Sequence, residues 1–275
     1  MPRIPLEDNF TDVIGKAQRG FGITDQQLAA RAGVSPADLT AVQGGKALDD
    51  VIRRVARHLR LGPDALVALA HQAWYPEPAL FPRGFAMFNT PYGDMTVNSY
   101  LVWDARSRVA AAFDTGASCT AMLDVIHAED LTLRYVFLTH THEDHVADLP
   151  RLAAETRAEV WSSEREPAGW PGAKVFKENA HFHLGEEIAI KTILTSGHSP
   201  GLTTYFVTGL SWPLAIVGDA LFASSMGGSA THFQEQYRNN FDKILPLPKD
   251  TVLAPGHGPL TTLVQEKKHN PFFAP

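Results

Sequence analysis

Four residues of the types that bind metal ions stand within six consecutive positions of this chain. They are His140, His142, Asp144 and His145, and they follow the apolar run 135–138. Such a run predicts a buried strand, so the four residues would stand on a loop at a strand end, where a rigid scaffold commonly carries a functional site. Because His140 and His142 are two residues apart, their side chains point to the same side of an extended segment. One metal ion could take these two histidines, and a second could take Asp144 and His145.

Three further residues of the same types stand in a similar setting downstream. His198 lies in 193–201, Asp219 ends the run 214–219, and His257 lies in 251–259. A glycine stands beside each of them, and glycine lets the backbone approach a ligand closely and adopt positive φ. The repeated order of strand, glycine and ligand predicts further members of the metal site.

Four short motifs connect these residues to a known family. They are THTHEDH at 139–145, SGHSPG at 196–201, GDALF at 218–222 and PGHGP at 255–259. Together they resemble the motifs of the metallo-β-lactamase-fold hydrolases, most closely the glyoxalase II-like branch. Residues 98–102 and 113–116 are similar to that family's opening strands, and Glu266 with 270–272 is similar to its C-terminal end. The resemblance extends from Phe85 to the C-terminus. It implies an α+β fold, a four-layer αββα sandwich in which two mixed sheets face each other, with the metals at one edge between them.

The resemblance also implies two metal sites that share a carboxylate. His140, His142 and His198 would hold the first ion, Asp144, His145 and His257 the second, and Asp219 would bridge the two. This mixed set suits two Zn²⁺ ions, and iron or manganese would also accept it. A metal-bound hydroxide would be the nucleophile. Asp144 and Asp219 would be the catalytic residues, and Asp114 would orient a ligand histidine.

The same resemblance implies a small-molecule substrate, either a thioester or a related ester, as for hydroxyacylglutathione hydrolases. A lactonase or a mono-iron persulfide dioxygenase would use the same ligands. Glyoxalase II-like enzymes usually carry a Gly-x-Gly-Arg pattern after the bridging aspartate, whereas 225–229 reads Ser-Met-Gly-Gly-Ser. A glutathione thioester is therefore one of several open substrates. His232, Tyr237 and Arg238 follow this stretch and are candidates for substrate binding.

The remaining pattern of the same region predicts its secondary structure. Strands are predicted over 95–103, 109–113, 187–194 and 204–208, and helices over 147–158 and 232–245. His181 and His183 match no ligand position of the family, so we predict an exposed strand face there. We predict that Cys119 is a buried packing residue and not a nucleophile.

The first seventy-odd residues carry the signals of helices. Thr24 and Gln27 have the spacing of a capping box, and Gly33 follows as a helix end. Ser35 and Pro36 then provide the N-cap and the first position of a second helix. Two more helices are predicted, over 51–59 and 65–73.

The order of 27–35, followed by 44–46, resembles the helix-turn-helix of the phage-repressor-like family. Gln43 and Lys46 are therefore candidates for DNA contact, because such a motif places its second helix in the major groove. However, residues 36–43 contain no Lys or Arg, although a DNA reader needs side chains that neutralise phosphates. Two alternatives follow: a DNA-binding regulator with a metal-hydrolase-fold sensor domain, or a helical domain kept for dimerisation or for covering the active site.

The positions of the prolines and the overall composition give the remaining predictions. Prolines divide the chain into an all-α domain, 1–73, a Pro-rich linker, 74–92, and a catalytic domain, 93–275. A net charge of −6 argues against a general binder of nucleic acids or anionic membranes. The chain has one cysteine, no secretory signal and no apolar run near the ~20 residues of a membrane helix. We therefore expect a cytoplasmic protein without a membrane partner, and a homodimer, since C₂ is the commonest symmetry.

Overall fold

The computed structural model describes residues 3–77, 81–229 and 231–274. Within these ranges, two six-stranded sheets face each other and helices cover the outer faces, as expected for an α+β, four-layer αββα sandwich. The helices before the sheets are α1, Phe10–Gly20; α2, Asp25–Ala32; α3, Pro36–Gln43; α4, Asp49–His58; and α5, Pro63–Ala70. The described helices contain no segment with the length and apolar character needed to cross a membrane.

The two sheets each follow sequence order. The first contains β1, Phe85–Tyr92; β2, Met95–Trp103; β3, Val109–Phe113; β4, Thr132–Phe137; β5, Glu159–Ser163; and β6, Lys174–Phe176. The second contains β7, His181–Leu184; β8, Ile188–Leu194; β9, Thr203–Thr208; β10, Leu214–Gly218; β11, Val252–Pro255; and β12, Thr261–Thr262. The helices within this part are α6, Thr120–Ala128; α7, Glu143–Val146; α8, Leu149–Thr156; α9, Phe233–Asn239, which continues as a π-helical turn, Asn240–Ile244; and α10, Leu263–His269.

Strand direction explains why polar residues far apart in sequence can meet. In the first sheet, β3 to β6 pair in parallel. In the second sheet, β8 and β10 both run antiparallel to β9, and β10 runs parallel to β11. Because β8, β10 and β11 run in the same direction, their C-terminal ends, and the residues that follow them, lie at the same end of the sheet. The loops after β3 and β4 lie together in the same way.

The predicted capping signals set the N-terminal helices. The Thr24 hydroxyl accepts from Gln27 N, and the Gln27 side chain accepts from Thr24 N in return. α2 then ends at Gly33, which has φ 62°. The Ser35 hydroxyl accepts from Asp38 N and begins α3. The helix predicted over 65–73 corresponds to α5, which begins two residues earlier, at Pro63, and ends three residues earlier, at Ala70.

Strand β1 corrects the predicted linker, because its eight residues lie inside 74–92. Phe85 and Met87 are buried and alternate with less buried neighbours, which is the pattern of a half-buried strand. Pro91 is compatible with this strand because β1 is at the sheet edge, where a missing N–H is tolerated. Pro78, part of the same predicted linker, lies outside the described residues. The division into two domains at this segment stays a prediction.

Other elements agree with the prediction to within a few residues. β2 and β3 have the predicted bounds, and β8 and β9 each differ by one residue. The helix predicted over 147–158 is the shorter α8, since Pro150 fixes its first turn and Arg157 leaves it with φ 57°. The helix predicted over 232–245 divides into α9 and the π-helical turn.

Three apolar clusters hold the layers together. The first lies between the sheets and includes Phe113, Phe137 and Tyr205. The second joins the first sheet to α6 and α8 and includes buried Cys119, as predicted. His181 and His183 are exposed, also as predicted.

The third cluster joins the N-terminal helices to the second sheet. Ile14, Leu28 and Ile52 of the helices belong to one continuous buried cluster with Val217 of β10 and Leu253 of β11. The end of α1 packs closely on α9, because a Cβ on Gly20 would lie 2.1 Å from the Phe233 ring. The N-terminal helices therefore form part of the outer layer of the sandwich.

Candidate metal centre

Three histidines from two different loops form the first group of candidate ligands. His140 and His142 follow β4, and His198 follows β8. His142 Nδ1 lies 3.1 Å from His140 Nε2 and 3.0 Å from His198 Nε2. Nitrogens bound tetrahedrally to one zinc ion lie about 3.3 Å apart, given bond lengths of about 2.0–2.1 Å. The three nitrogens are therefore spaced for a common ion.

Asp144, His145 and His257 form the second group. Asp144 and His145 lie in α7, and His257 follows β11. Asp144 Oδ2 lies 3.5 Å from His145 Nε2 and 3.3 Å from His257 Nε2. The backbone at Gly256 comes close to this group, because a Cβ there would lie 2.1 Å from Asp219 Oδ1. A side chain at position 256 would fill the space between the ligands.

Asp219, at the end of β10, lies between the two groups. Its Oδ2 is 3.3 Å from His198 Nε2 and 3.5 Å from His257 Nε2. Its Oδ1 is 3.4 Å from His145 Nε2. A carboxylate that reaches both groups has the position of a bridging ligand. All seven predicted ligands thus lie together, whereas their roles as ligands stay predictions.

Two atoms of this cluster show that it fits a cation. His145 Nε2 and Asp219 Oδ1 are buried, and neither has a hydrogen-bond partner within the described part of the chain. Buried polar atoms in folded proteins are nearly always hydrogen-bonded, so two neighbouring atoms without a partner indicate that a ligand binds between them. A metal ion between the imidazole nitrogen and the carboxylate oxygen would satisfy both.

The far side of three ligand rings is held by an oxygen. His145 Nδ1 lies 2.8 Å from Asp114 Oδ2, His198 Nδ1 lies 2.6 Å from Gly228 O, and His257 Nδ1 lies 2.7 Å from Thr96 O. Because a carbonyl oxygen only accepts, Nδ1 of His198 and His257 must donate, so Nε2 is the nitrogen that each ring would offer to an ion. Outer partners of this kind fix the tautomer and the ring direction of metal-binding histidines.

Asp114 lies beside the candidate ligand His145, and its orienting role stays a prediction. Besides His145, it accepts hydrogen bonds from Thr139 N and Thr139 Oγ1, each at 2.7 Å. Its backbone has φ 56°, a left-handed conformation that is uncommon outside glycine but tolerated by aspartate. Asp114 therefore ties the end of β3 to the ligand loop after β4.

Glu166 is a positioning residue that the sequence did not indicate. Its Oε1 accepts from Thr141 N and Thr141 Oγ1, each at 2.8 Å. Its Oε2 accepts from Ser199 Oγ at 2.6 Å and from Gly201 N at 2.8 Å. One carboxylate thus joins the loop of His140 and His142 to the loop of His198. A lone glutamate after a strand carries no local signal of this role.

Charge in the cluster is strongly coupled. Burial alone would raise the pKa of Asp219, but His145 and His257 hold it well below its ordinary value. Burial alone would lower the pKa of those two histidines. The carboxylates of Asp114 and Asp219 nevertheless raise the pKa of His145 to about 10. Those of Asp144 and Asp219 raise the pKa of His257 to about 11. Burial lowers the pKa of His140 and His198, which keeps these rings neutral and able to bind a metal.

The residues predicted to contact substrate or DNA lie outside the two groups of candidate metal ligands. His232 and Arg238 are exposed, and Tyr237 packs its ring against Phe21 and Phe241 at 6.1 and 4.9 Å. Lys46 is exposed. Their substrate and DNA contacts stay predictions.

Gln43, the other candidate for DNA contact, is engaged within the helices. Its side-chain amide donates to Gln18 Oε1 at 3.0 Å and to Asp25 Oδ1 at 2.9 Å. A DNA contact by this amide would compete with those two hydrogen bonds.

Comparison with known proteins agrees with this geometry. Residues 92–257 match the family model described as the metallo-beta-lactamase superfamily. The chain is 28% identical to hydroxyacylglutathione hydrolase GloC of Haemophilus influenzae, over 64% of this chain and 92% of that protein. It is 26% identical to the probable metallo-hydrolase YqgX of Bacillus subtilis, over 66% of this chain and 95% of that one. The crystal structure of ETHE1 from Myxococcus xanthus is similar with a TM-score of 0.59 and 25% identity, over 68% of this chain and 83% of that one.

Proposed function

This chain belongs to the metallo-beta-lactamase superfamily, and we propose that it is a dinuclear metal-dependent hydrolase of a thioester or a related ester. The observation that carries the proposal is the shared carboxylate of Asp219, which lies within 3.3–3.5 Å of ligand nitrogens from both groups. A single structural ion would need only one group. Two groups with a common carboxylate are the arrangement of a two-metal hydrolytic site.

Zinc is the metal we propose, with iron or manganese as acceptable substitutes, because the set mixes imidazole and carboxylate. Once bound, two divalent ions would supply an activated water molecule at neutral pH and would polarise the carbonyl group of the substrate. His140, His142 and His198 would hold one ion, Asp144, His145 and His257 would hold the other, and Asp219 would hold both. Asp114 keeps the His145 ring in place during the reaction.

Unequal exposure of the ligands defines the side from which substrate approaches. His142 is exposed, and the side chains of His198 and Asp144 keep 14% and 13% of their exposure. By contrast, the side chains of His140 and His145 are fully buried. Substrate therefore reaches the cluster from the side of His142, Asp144 and His198. Asp144 is the carboxylate on this open side, and we assign it the role of orienting the attacking water.

A glutathione thioester is the first substrate to test, because the Haemophilus influenzae relative is a hydroxyacylglutathione hydrolase by name. The segment 225–229 contains no arginine to grip the carboxylates of glutathione. Other thioesters, simple esters and lactones therefore belong in the same assay. A dioxygenase on the same ligands would consume oxygen and would contain one iron, so metal content distinguishes it from the hydrolase.

The test is hydrolysis of S-lactoylglutathione by zinc-loaded protein, with His142→Ala as the matched variant. We expect turnover with two ions bound, and loss of turnover together with loss of one ion in the variant. Failure to hydrolyse any thioester, ester or lactone while two ions are bound would overturn the proposed activity. Turnover that is unchanged in His142→Ala would overturn the proposed site.

A further inference from the structure

We propose that the N-terminal helical region positions a metal ligand of the catalytic part. Asp8 and Lys16, which lie outside the residues matched to the family, hold the loop 225–228, and this loop in turn holds His198. The proposal rests on the proposed metal site but does not depend on which substrate is hydrolysed. Asp8 and Lys16 are positioning residues, because they act through the loop.

The first half of this connection is a buried set of polar contacts between distant parts of the chain. Lys16 Nζ, in α1, donates to Met226 O at 2.9 Å across 210 positions of sequence. It also donates to Asp8 Oδ2, which accepts a second hydrogen bond from Ser225 Oγ. The side chains of Lys16 and Asp8 keep only 15% and 9% of their exposure. An ion pair this well shielded, with hydrogen bonds on both sides, constrains geometry better than an exposed pair does.

The second half runs from the loop to the ligands. Gly228 O accepts from His198 Nδ1 at 2.6 Å, which fixes the direction of that ring. A Cβ on Gly227 would lie 2.1 Å from Asp219 O and 3.0 Å from His198 Nδ1, so the loop packs directly on two ligands. Any shift of the loop would therefore turn His198 or push on Asp219.

The loop has anchors on two sides. On one side, Gln236 Nε2 in α9 donates to Gly227 O at 3.0 Å and to Asp219 O at 3.2 Å. On the other side, the anchor is Lys16. Two of the four residues of this loop are glycines, which are conformationally free by themselves. Lys16 and Gln236 therefore help to hold its carbonyl oxygens in one place, together with Asn270, whose Nδ2 donates to Ser225 O at 2.8 Å.

The same N-terminal region also reaches the second group of ligands. Lys16 Nζ lies 5.4 Å from the centre of the Phe222 ring, and that ring lies edge-on against His257 at 5.6 Å. The backbone at Glu7 packs beside Gly258, where a Cβ would lie 3.4 Å from Glu7 N. These are a cation–π contact, a ring contact and backbone packing, whereas the contact to the first group runs through hydrogen bonds. We therefore expect the first ion to be the more sensitive to Lys16.

The test measures metal retention in the full chain. Lys16→Met keeps the length of the side chain and removes its charge and donors. We expect this variant to lose one of its two ions to a chelator about tenfold faster than the wild type, in the range found for outer partners of metal ligands. The cobalt-substituted protein should also show a changed absorption spectrum. Lys174→Met is the matched control, since it breaks the exposed Lys174–Glu159 pair, and it should behave as the wild type.

Two additional variants keep the proposal open to refutation. Lys16→Arg retains the charge and donors and should recover part of the retention. Asp8→Asn removes the charge of the partner without removing its acceptor, and it serves if Lys16→Met does not fold. Equal release of both ions from the wild type, Lys16→Met and Asp8→Asn would overturn the proposal. A wild type that binds no metal would overturn the proposed function with it, whereas retention without turnover would contradict the hydrolase alone.

Discussion

The two parts of the molecule pair their polar side chains in opposite ways. Among the helices, Gln18, Asp25 and Gln43 satisfy one another, and the Gln43 amide gives hydrogen bonds to both of the others. Between the sheets, His145 and Asp219 face each other with unpaired atoms. The first arrangement is complete without a ligand, and the second is not. Polarity alone therefore does not mark a metal site: what distinguishes this one is that a histidine nitrogen and a carboxylate oxygen lie close together, both buried and both unpaired.

The largest test of this contrast is Asp219→Ala. Removal of the shared carboxylate should abolish binding of at least one ion and reduce turnover at least about a thousandfold, because a metal ion contributes several kcal/mol to catalysis. Metal content and the rate of ester hydrolysis are the measurements. Asp25→Ala is the control in the satisfied cluster, and it should retain both ions. Two tightly bound ions in Asp219→Ala would contradict the bridging position.

A buried carboxyl outside the cluster sharpens the contrast. Glu266 is fully buried, yet it accepts hydrogen bonds from Thr261, Asn270 and Ser224 at 2.7–3.0 Å. Burial raises the pKa of Glu266 from 4.5 to about 7, against these donors, which favour the charged form. It is satisfied, so we expect it to affect stability and not metal binding.

The sign of its pH dependence follows from the direction of the shift. A carboxyl whose folded pKa is raised contributes stability that is present below about 4.5 and is lost as the pH rises through about 7. The wild type should therefore lose up to about 3 kcal/mol of unfolding free energy relative to Glu266→Gln between pH 4.5 and pH 8, because glutamine does not ionise. Denaturant unfolding across this range measures it. A difference that is flat with pH, or metal loss in Glu266→Gln, would contradict the prediction.

Asp114→Asn tests the outer partner of the cluster. The amide keeps the shape but removes the charge that orients His145, so metal affinity should fall about 10–100-fold. Chelator competition gives the affinity. Asp104→Asn is a suitable control, because Asp104 is also buried but accepts from the backbone of Arg106 and Ser107 instead of from a ligand. An unchanged affinity in Asp114→Asn would contradict the orienting role of this carboxylate.

The smallest effect concerns the helices. If α3 contacts DNA, Lys46→Ala should reduce the slope of log affinity against log salt by about 1, the contribution of one phosphate contact. Retention of the protein's own promoter DNA at several salt concentrations measures this, with exposed Lys267→Ala as the control. Gln43→Ala is a poorer probe, since it also breaks two internal hydrogen bonds. No retention at low salt would leave α1 to α5 as a structural layer, and homodimerisation would stay a separate prediction.

Local signals explain how much the sequence predicted. Four candidate ligands are clustered in one segment after β4, and the other three each follow a glycine, so local pattern indicated all seven, whereas Asp114 was indicated by the family resemblance. Thr24, Gln27 and Ser35 fixed the helix starts for the same reason, because capping depends on neighbours three residues away.

What the sequence could not predict depends on distant contacts. Glu166 acts on residues 25 to 35 positions away, and Lys16 acts on a residue 210 positions away. Nothing beside either residue indicates these partners. β1 was missed because its flanking prolines favoured a linker, although an edge strand tolerates proline.

Cys119 provides a chemical probe of local unfolding in the helix layer that covers the first sheet. It is the one cysteine of the sequence and it is fully buried, and burial together with Asp148 raises its pKa to about 12. Almost no thiolate exists at neutral pH, so an alkylating reagent should react only with molecules in which this layer has separated. The alkylation rate then reports local unfolding near α6 independently of the metal cluster. If removal of metal by a chelator raises the alkylation rate, the metal cluster and the layer around α6 unfold as one cooperative unit. An unchanged rate would mean that they unfold independently.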